Sequence, residues 1–301
     1  MQKAVVTGGA GFIGSNLVDE LIKQGKEVLI IDDLSTGKKE NINPNAKFSK
    51  LDLDAYTSSI IAEEIKGYDV VFHMAALPQV QQSIKNPTNN VNINSTINIL
   101  EASKKANIKR VIFSSTCALY GNPKYIPIDE KHPVNPLSPY ALHKLIGEQY
   151  CKLYSNIYNL DTVCLRYFNV YGNRMVNKGA YRSVISIFKE QYINKESFNI
   201  VNDGEQRRDY VHVKDIVNAN ILCSNHLEKL NGTIFNVGTG DSYSVNQIAD
   251  MFGGEKKYGE VRIEPQNSKA NNKKINRILN WKSTNKLKTW ISTFTEQSST
   301  E

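Results

Sequence analysis

The chain has 301 residues, 40% of them hydrophobic, and a formal net charge of +7 at pH 7. That is enough apolar material for one large unit or two closely joined ones, and it excludes a disordered or fibrous chain. Much of the positive excess falls in a Lys/Asn-rich stretch at 269–288, which has no nucleic-acid motif and reads as a solvated basic face. Cys117, Cys151, Cys164 and Cys223 are far apart, without CxxC spacing or histidine neighbours, so free thiols and no bound metal are expected. No apolar run reaches the roughly 18 residues needed to cross a bilayer, and "MQKAVVTGG" leads straight into a strand. The expectation is a cytoplasmic protein with neither membrane nor nucleic-acid partners.

In chain order, "KAVVT" at 3–7 reads as a buried strand, followed by the glycine loop "GGAGFIGS". Gly8, Gly11 and Gly14 fall between this strand and the start of a helix. There the backbone amides of residues such as Phe12 and Ile13 can approach a pyrophosphate without side chains in the way. The next strand, "EVLIID" at 27–32, ends on Asp32, where a carboxylate would accept hydrogen bonds from the adenosine ribose and repel a 2′-phosphate. This favours NAD over NADP, although Lys38 and Lys39 lie nearby. Further strands are expected at 69–74, 110–115 and 162–166, with helical periodicity at Ile93, Ile97 and Leu100. Strands alternating with helices predict an α/β fold, a doubly wound parallel Rossmann sheet. Beyond Arg166 the rhythm changes to a helix at 181–194, a strand at "FNIV", a helix after Val213, a strand at "TIFNVG" and a helix from Val245. The reading is a dinucleotide-binding part over 1–166, with a return segment around 205–236, and a smaller α/β substrate-binding cap over 167–301.

"SPYALHK" at 138–144 carries the most specific chemistry. Ser138 suits a helix cap and Pro139 its first turn, which puts Tyr140 and Lys144 one turn apart on one face. A neighbouring ammonium that favours phenolate would make the phenol a proton carrier at neutral pH. Alone, the pair also fits an ordinary helix surface. With the glycine loop, Asp32 and "SSTCALYG" at 114–121 in this order, however, the chain resembles the extended short-chain dehydrogenase/reductase family. Within it the match is to UDP-sugar 4-epimerases of the UDP-galactose/UDP-N-acetylglucosamine type. The likeness extends through "DDLSTG", "HMAAL", "LRYFNVYG", "DGEQRRDYVHVKDI" and "FNVGTG".

The resemblance implies that Tyr140 is the catalytic base, Lys144 the cation that holds the ribose, and Thr116 the hydroxyl that bonds the reacting sugar oxygen. It adds Asp33, Ser35, Asp52 and Leu53 near the adenosine, and Ala75, Asn92 and Tyr167 along the dinucleotide. It puts Asn169, Arg208 and Arg262 near a nucleotide diphosphate, a role that suits planar guanidinium forks. Ser268, counted back from "LNW" at 279–281, matches the position facing the sugar 2-substituent. Ser95 and Asn271 depart from the family's usual glycine and aspartate. The implied reaction is inversion at C4 of a UDP-sugar through a transient 4-keto sugar, with NAD retained, in a homodimer. A 4,6-dehydratase is a weaker reading because Cys117 and Ala118 stand where that enzyme has an Asp-Glu acid/base pair. A uronate epimerase or decarboxylase, a reductase, and a non-catalytic dinucleotide-sensing protein remain alternatives.

Overall fold

The computed structural model describes residues 1–176, 182–259 and 267–298. The chain begins with β1 (Lys3–Thr7), α1 (Phe12–Lys23), β2 (Glu27–Ile31), β3 (Lys47–Ser49), α2 (Ser58–Glu64) and β4 (Val70–His73). It continues through α3 (Val80–Lys85), α4 (Val91–Lys105), β5 (Arg110–Thr116), α5 (Pro139–Tyr158) and β6 (Asp161–Tyr167). Then come β7 (Asn169–Tyr171), α6 (Val184–Ile193), β8 (Phe198–Ile200), β9 (Arg207–Arg208), β10 (Tyr210–His212), α7 (Val213–Asn225) and β11 (Thr233–Val237). The last elements are β12 (Tyr243–Ser244), α8 (Val245–Phe252), β13 (Lys256–Tyr258), α9 (Lys273–Leu279) and α10 (Leu287–Ser298).

Seven strands form one sheet in the order β11-β6-β5-β4-β1-β2-β3, and every pairing in it is parallel. Parallel strands need both faces covered, which is why their sequences are continuous apolar runs instead of alternating ones. Ala4, Val6, Leu17, Leu21, Val217 and Trp281 share the core on one face. Val5, Ile61, Leu100, Phe113, Cys151 and Cys164 share the core on the other. The strand order reverses between β1 and β4, so a crevice opens beyond their carboxyl ends, the place where such sheets bind ligands. The edge strand β3 has no apolar run to announce it; it carries Lys47, and Phe48 is exposed, as suits a protected edge.

Among the described residues beyond Arg166, where the sequence suggests a cap, three two-stranded sheets pair β7 with β10, β8 with β13 and β9 with β12. They surround an aromatic core in which the Phe188 and Phe198 rings lie 4.8 Å apart, with Phe252, Tyr171 and Leu287 in the same cluster. Between β10 and β12 the chain re-enters the large sheet. β11 pairs with β6 from Thr233 opposite Val163 to Val237 opposite Tyr167. Arg110 clasps this return: its Nε donates to Asp161 Oδ2 at 2.6 Å, and its Nη groups donate to the carbonyls of Cys223, His226 (2.9 Å) and Glu228 (2.6 Å). Among the described residues, no helix is long and apolar enough to cross a membrane.

Candidate active site

The glycine loop links the carboxyl end of β1 to α1. A Cβ on Gly14 would overlap the carbonyl of Gly8, so only glycine lets the helix approach the loop this closely. Gly11 is the N-cap and offers no side-chain cap, which leaves the first amides of α1, at Phe12 and Ile13, for another acceptor. Asp32 follows β2, 7% exposed; its Oδ2 accepts from Ala10 N and its Oδ1 from Leu34 N, both at 2.9 Å. Burial raises its pKa against those two bonds. Asp33 Oδ1 accepts from the amide and the hydroxyl of Ser35 (2.9 and 2.7 Å). A cradle without side chains, uncapped amides and a buried carboxylate at one sheet crevice suit a dinucleotide.

Beside this cradle, Asp52 Oδ1 accepts from Asp54 N at 2.8 Å, and buried Leu53 is tied through its carbonyl to Asn98 Nδ2 at 2.8 Å. Ala75 N donates to Thr7 Oγ1 at 3.2 Å. The Asn92 amide is engaged on both sides, accepting from Leu77 N (2.8 Å) and donating to Leu77 O (3.1 Å). It therefore shapes the wall of the crevice through the 75–77 loop. Tyr167, expected along the dinucleotide, is buried in the core on the face shared with Val6 and Leu17, with its hydroxyl bonded to Asn220.

Tyr140 and Lys144 lie on α5, and Thr116 ends β5, against which α5 packs. Ser138 Oγ accepts from Ala141 N (3.2 Å), and Pro139 occupies the first turn. Ser83 on α3 accepts from the backbone N–H of Tyr140 itself (3.1 Å). Both side chains expected on one face are buried. Lys144 Nζ donates to Ser114 O at 2.8 Å and sits 4.8 Å from the Phe113 ring centre. Burial pushes its pKa down to about 8. Thr116 Oγ1 accepts from Ala118 N at 3.1 Å, so the hydroxyl is oriented and keeps its proton to donate. Burial pushes the adjacent Cys117 thiol up to about 12.

On the cap side, the amide and the side chain of Asn169 both donate to Asp209 O (3.1 and 3.0 Å), and Arg208 lies on β9 with Nη1 on Arg207 O (3.0 Å). Ser268 N donates to Arg207 O at 3.0 Å, which brings Ser268 beside β9 and Arg208. Its Oγ is buried and has no hydrogen-bond partner among the described residues. Arg262 lies outside the described residues. Of the two departures, Ser95 is buried on α4, and Asn271 Oδ1 accepts from Lys273 N (3.1 Å) at the start of α9, a bond that an aspartate would also make.

A protein-family model described as the NAD dependent epimerase/dehydratase family matches residues 4–238. The chain belongs to this family. It is 44% identical over 269 residues to a putative UDP-glucose 4-epimerase of Methanocaldococcus jannaschii, covering 86% of each chain. Among solved structures it is similar to a UDP-glucose 4-epimerase of Thermotoga maritima with UDP-glucose, at 35% identity and TM-score 0.92 over 100% of both chains. It is likewise similar to a UDP-N-acetylglucosamine 4-epimerase of Methanobrevibacter ruminantium in complex with UDP-N-acetylmuramic acid. That match has 36% identity and TM-score 0.91 over 99% of this chain and 97% of that one.

Two supports of this epimerase-family site escape motif reading. Buried Asp209 collects Thr239 N, Thr239 Oγ1, Gly240 N and Ala270 N between 2.7 and 3.0 Å, and so ties the 239–240 and 268–270 loops to β9. His73 lies between Thr7 Oγ1 (2.8 Å, at Nδ1) and Thr96 Oγ1 (3.2 Å, at Nε2). Thr96 already donates to Asn92 O, so Nε2 carries the ring proton and Nδ1 accepts. The sequence signal for His73 was a polar residue ending an apolar strand, and for Asp209 an acid directly after two arginines, with no spacing to name the partners of either.

Burial, and then the charge of Lys144, pushes His73 down to about 3 from the ordinary 6.5. The unfolded chain binds that proton first as pH falls. The stability His73 contributes is therefore full above about pH 6.5 and is lost as pH falls toward about 3. Thermal unfolding across that range should show a falling Tm, with a shallower fall in His73→Gln; equal slopes would disprove the buried neutral ring.

Proposed function

We propose that this protein is an NAD-dependent 4-epimerase of UDP-sugars that inverts C4 through a transient 4-keto sugar. The observation that carries the reading is the junction of Thr116, Tyr140 and Lys144 on β5 and α5 beside a dinucleotide cradle. Gly8, Gly11, Phe12, Ile13 and Gly14 would hold the pyrophosphate, Asp32 the adenosine ribose, and Lys144 the second ribose. When bound, NAD supplies a reversible hydride acceptor. The Tyr140 phenolate takes the proton of the sugar 4-hydroxyl and later returns it, while the Thr116 hydroxyl donates to the same oxygen. Asn169 and Arg208 anchor the diphosphate so that the sugar turns without leaving. Cys117, with its thiol held protonated, and Ala118 supply no acid/base pair for elimination of water, which favours epimerase over dehydratase.

Replacing Tyr140 with Phe should leave NAD bound and lower epimerisation at least ~10²-fold. Resolving the C4 epimers after incubation with UDP-galactose measures this, and near-normal turnover would remove Tyr140 as the base.

Ser268 sets the breadth of the pocket. A small residue there leaves room for an N-acetyl group, whereas an aromatic would overpack against it, at about 1–3 kcal/mol. The enzyme should accept both the UDP-glucose/UDP-galactose pair and its N-acetyl counterparts, with Ser268→Tyr selectively losing the latter in kcat/KM. Equal losses for both pairs, or a wild type that rejects the N-acetyl pair, would overturn this assignment.

The four cysteines are free thiols and three are buried, which suits a reducing cytoplasm. The outward face of α5 carries exposed Leu142, Leu153 and Ile157 at helical spacing, beside α4. Such a stripe suits pairing with a second copy. The soluble fraction of a lysate should contain a particle of twice the 33.9 kDa chain mass by sedimentation, and Ile157→Lys should halve it. A wild-type monomer, or recovery with the membranes, would contradict this.

A further inference from the structure

Lys144 is followed one turn later on α5 by Glu148, whose side chain is fully buried. Arg166 on β6, 4% exposed, meets it with two parallel bonds, Nε to Oε1 at 2.8 Å and Nη2 to Oε2 at 2.6 Å. The pair is bonded further at both ends. Glu148 Oε1 also accepts from Ser115 Oγ at 2.6 Å, and Arg166 Nη1 donates to the Tyr120 hydroxyl at 2.8 Å. The Tyr120 hydroxyl in turn donates to Asn236 Oδ1 on β11 at 2.7 Å. Asn236 Nδ2 closes the chain on Ile128 O at 2.9 Å.

Stability alone does not account for this arrangement. Burying two charges costs several kcal/mol each, and apolar residues of similar volume usually serve a core equally well. What apolar residues lack is direction. The ion pair holds Ser115, immediately before Thr116, and Tyr120, at the end of the turn immediately after it. We propose that Glu148 and Arg166 are positioning residues that fix the Thr116 hydroxyl relative to Tyr140 on the same helix. Ser115 and Tyr120 are the two arms through which they act. This inference rests on the epimerase reading above.

The test compares wild type with the double variant Glu148→Leu/Arg166→Met, which removes both charges together, and with Ser115→Ala/Tyr120→Phe, which removes only the arms. Each is assayed for Tm, retained NAD, and kcat and KM on UDP-galactose. Misplacing a reacting group by a fraction of an ångström to 1 Å costs up to about 10²-fold. The expected result is a kcat lowered about tenfold or more in both variants, with KM and NAD content little changed and the Tm of the double charge variant near that of wild type. Wild-type kcat in a folded double charge variant would overturn the proposal, as would wild-type kcat in the arm variant if the charge variant does not fold. A wild type without epimerase activity but with bound NAD would instead overturn the functional reading.

Discussion

The site depends first on how closely one face of α5 lies on β5. Tyr140, Lys144 and Glu148 follow one another at one-turn intervals on that face. Gly147 lets it close: a Cβ there would stand 2.5 Å from the Phe113 ring, so any other residue would lift the helix from the strand. At this distance Lys144 reaches Ser114 O and Glu148 reaches Ser115, so one helix face grips successive residues of the strand that ends in Thr116. Ser83 and Ser138 set the start of the helix from outside it and from within it.

The crevice has a second constraint, independent of α5. Parallel strands β1 and β4 leave their carboxyl ends side by side, and the residues there are stitched together. Thr7 bonds both Ala75 and His73, His73 bonds Thr96, and Asn92 bonds Leu77. The glycine loop, the 75–77 loop and the start of α4 are thereby one polar assembly under an apolar sheet. Low dielectric strengthens each of these bonds and makes an unpaired member costly. A neutral His73 serves such an assembly because one nitrogen donates while the other accepts.

Much of this was legible in the sequence, where local chemistry speaks for itself. Apolar runs marked β1, β2, β4, β5, β6 and β11, since strands buried on both faces need no alternation. Ser138 and Pro139 fixed the start of α5, and with it the alignment of Tyr140 and Lys144. Less legible were the short strands β3, β7, β9 and β12, of two or three residues each, whose pairing is decided by tertiary contacts. Networks were hidden altogether. Glu148 and Arg166 are 18 residues apart in the chain and Asp209 and Ala270 are 61 apart, and no periodicity links such partners. Asn92, expected along the dinucleotide, turned out to have its amide committed to Leu77, which pattern alone does not convey.

The return of the chain to the large sheet has a consequence for how the protein is made. All seven residues of β6 are buried in the finished molecule, and one edge of that strand waits for β11. During synthesis everything from Phe168 to Gly232 must emerge first, which at roughly 5–20 residues per second takes several seconds. Throughout that interval the nascent chain presents an unpaired apolar strand edge, with Arg110 lacking the carbonyls of Cys223, His226 and Glu228 that it will later bind. The sheet whose crevice carries the glycine loop therefore cannot be completed on the ribosome until β7 to β10 and α7 have been translated, while β12, α8 and β13 still follow.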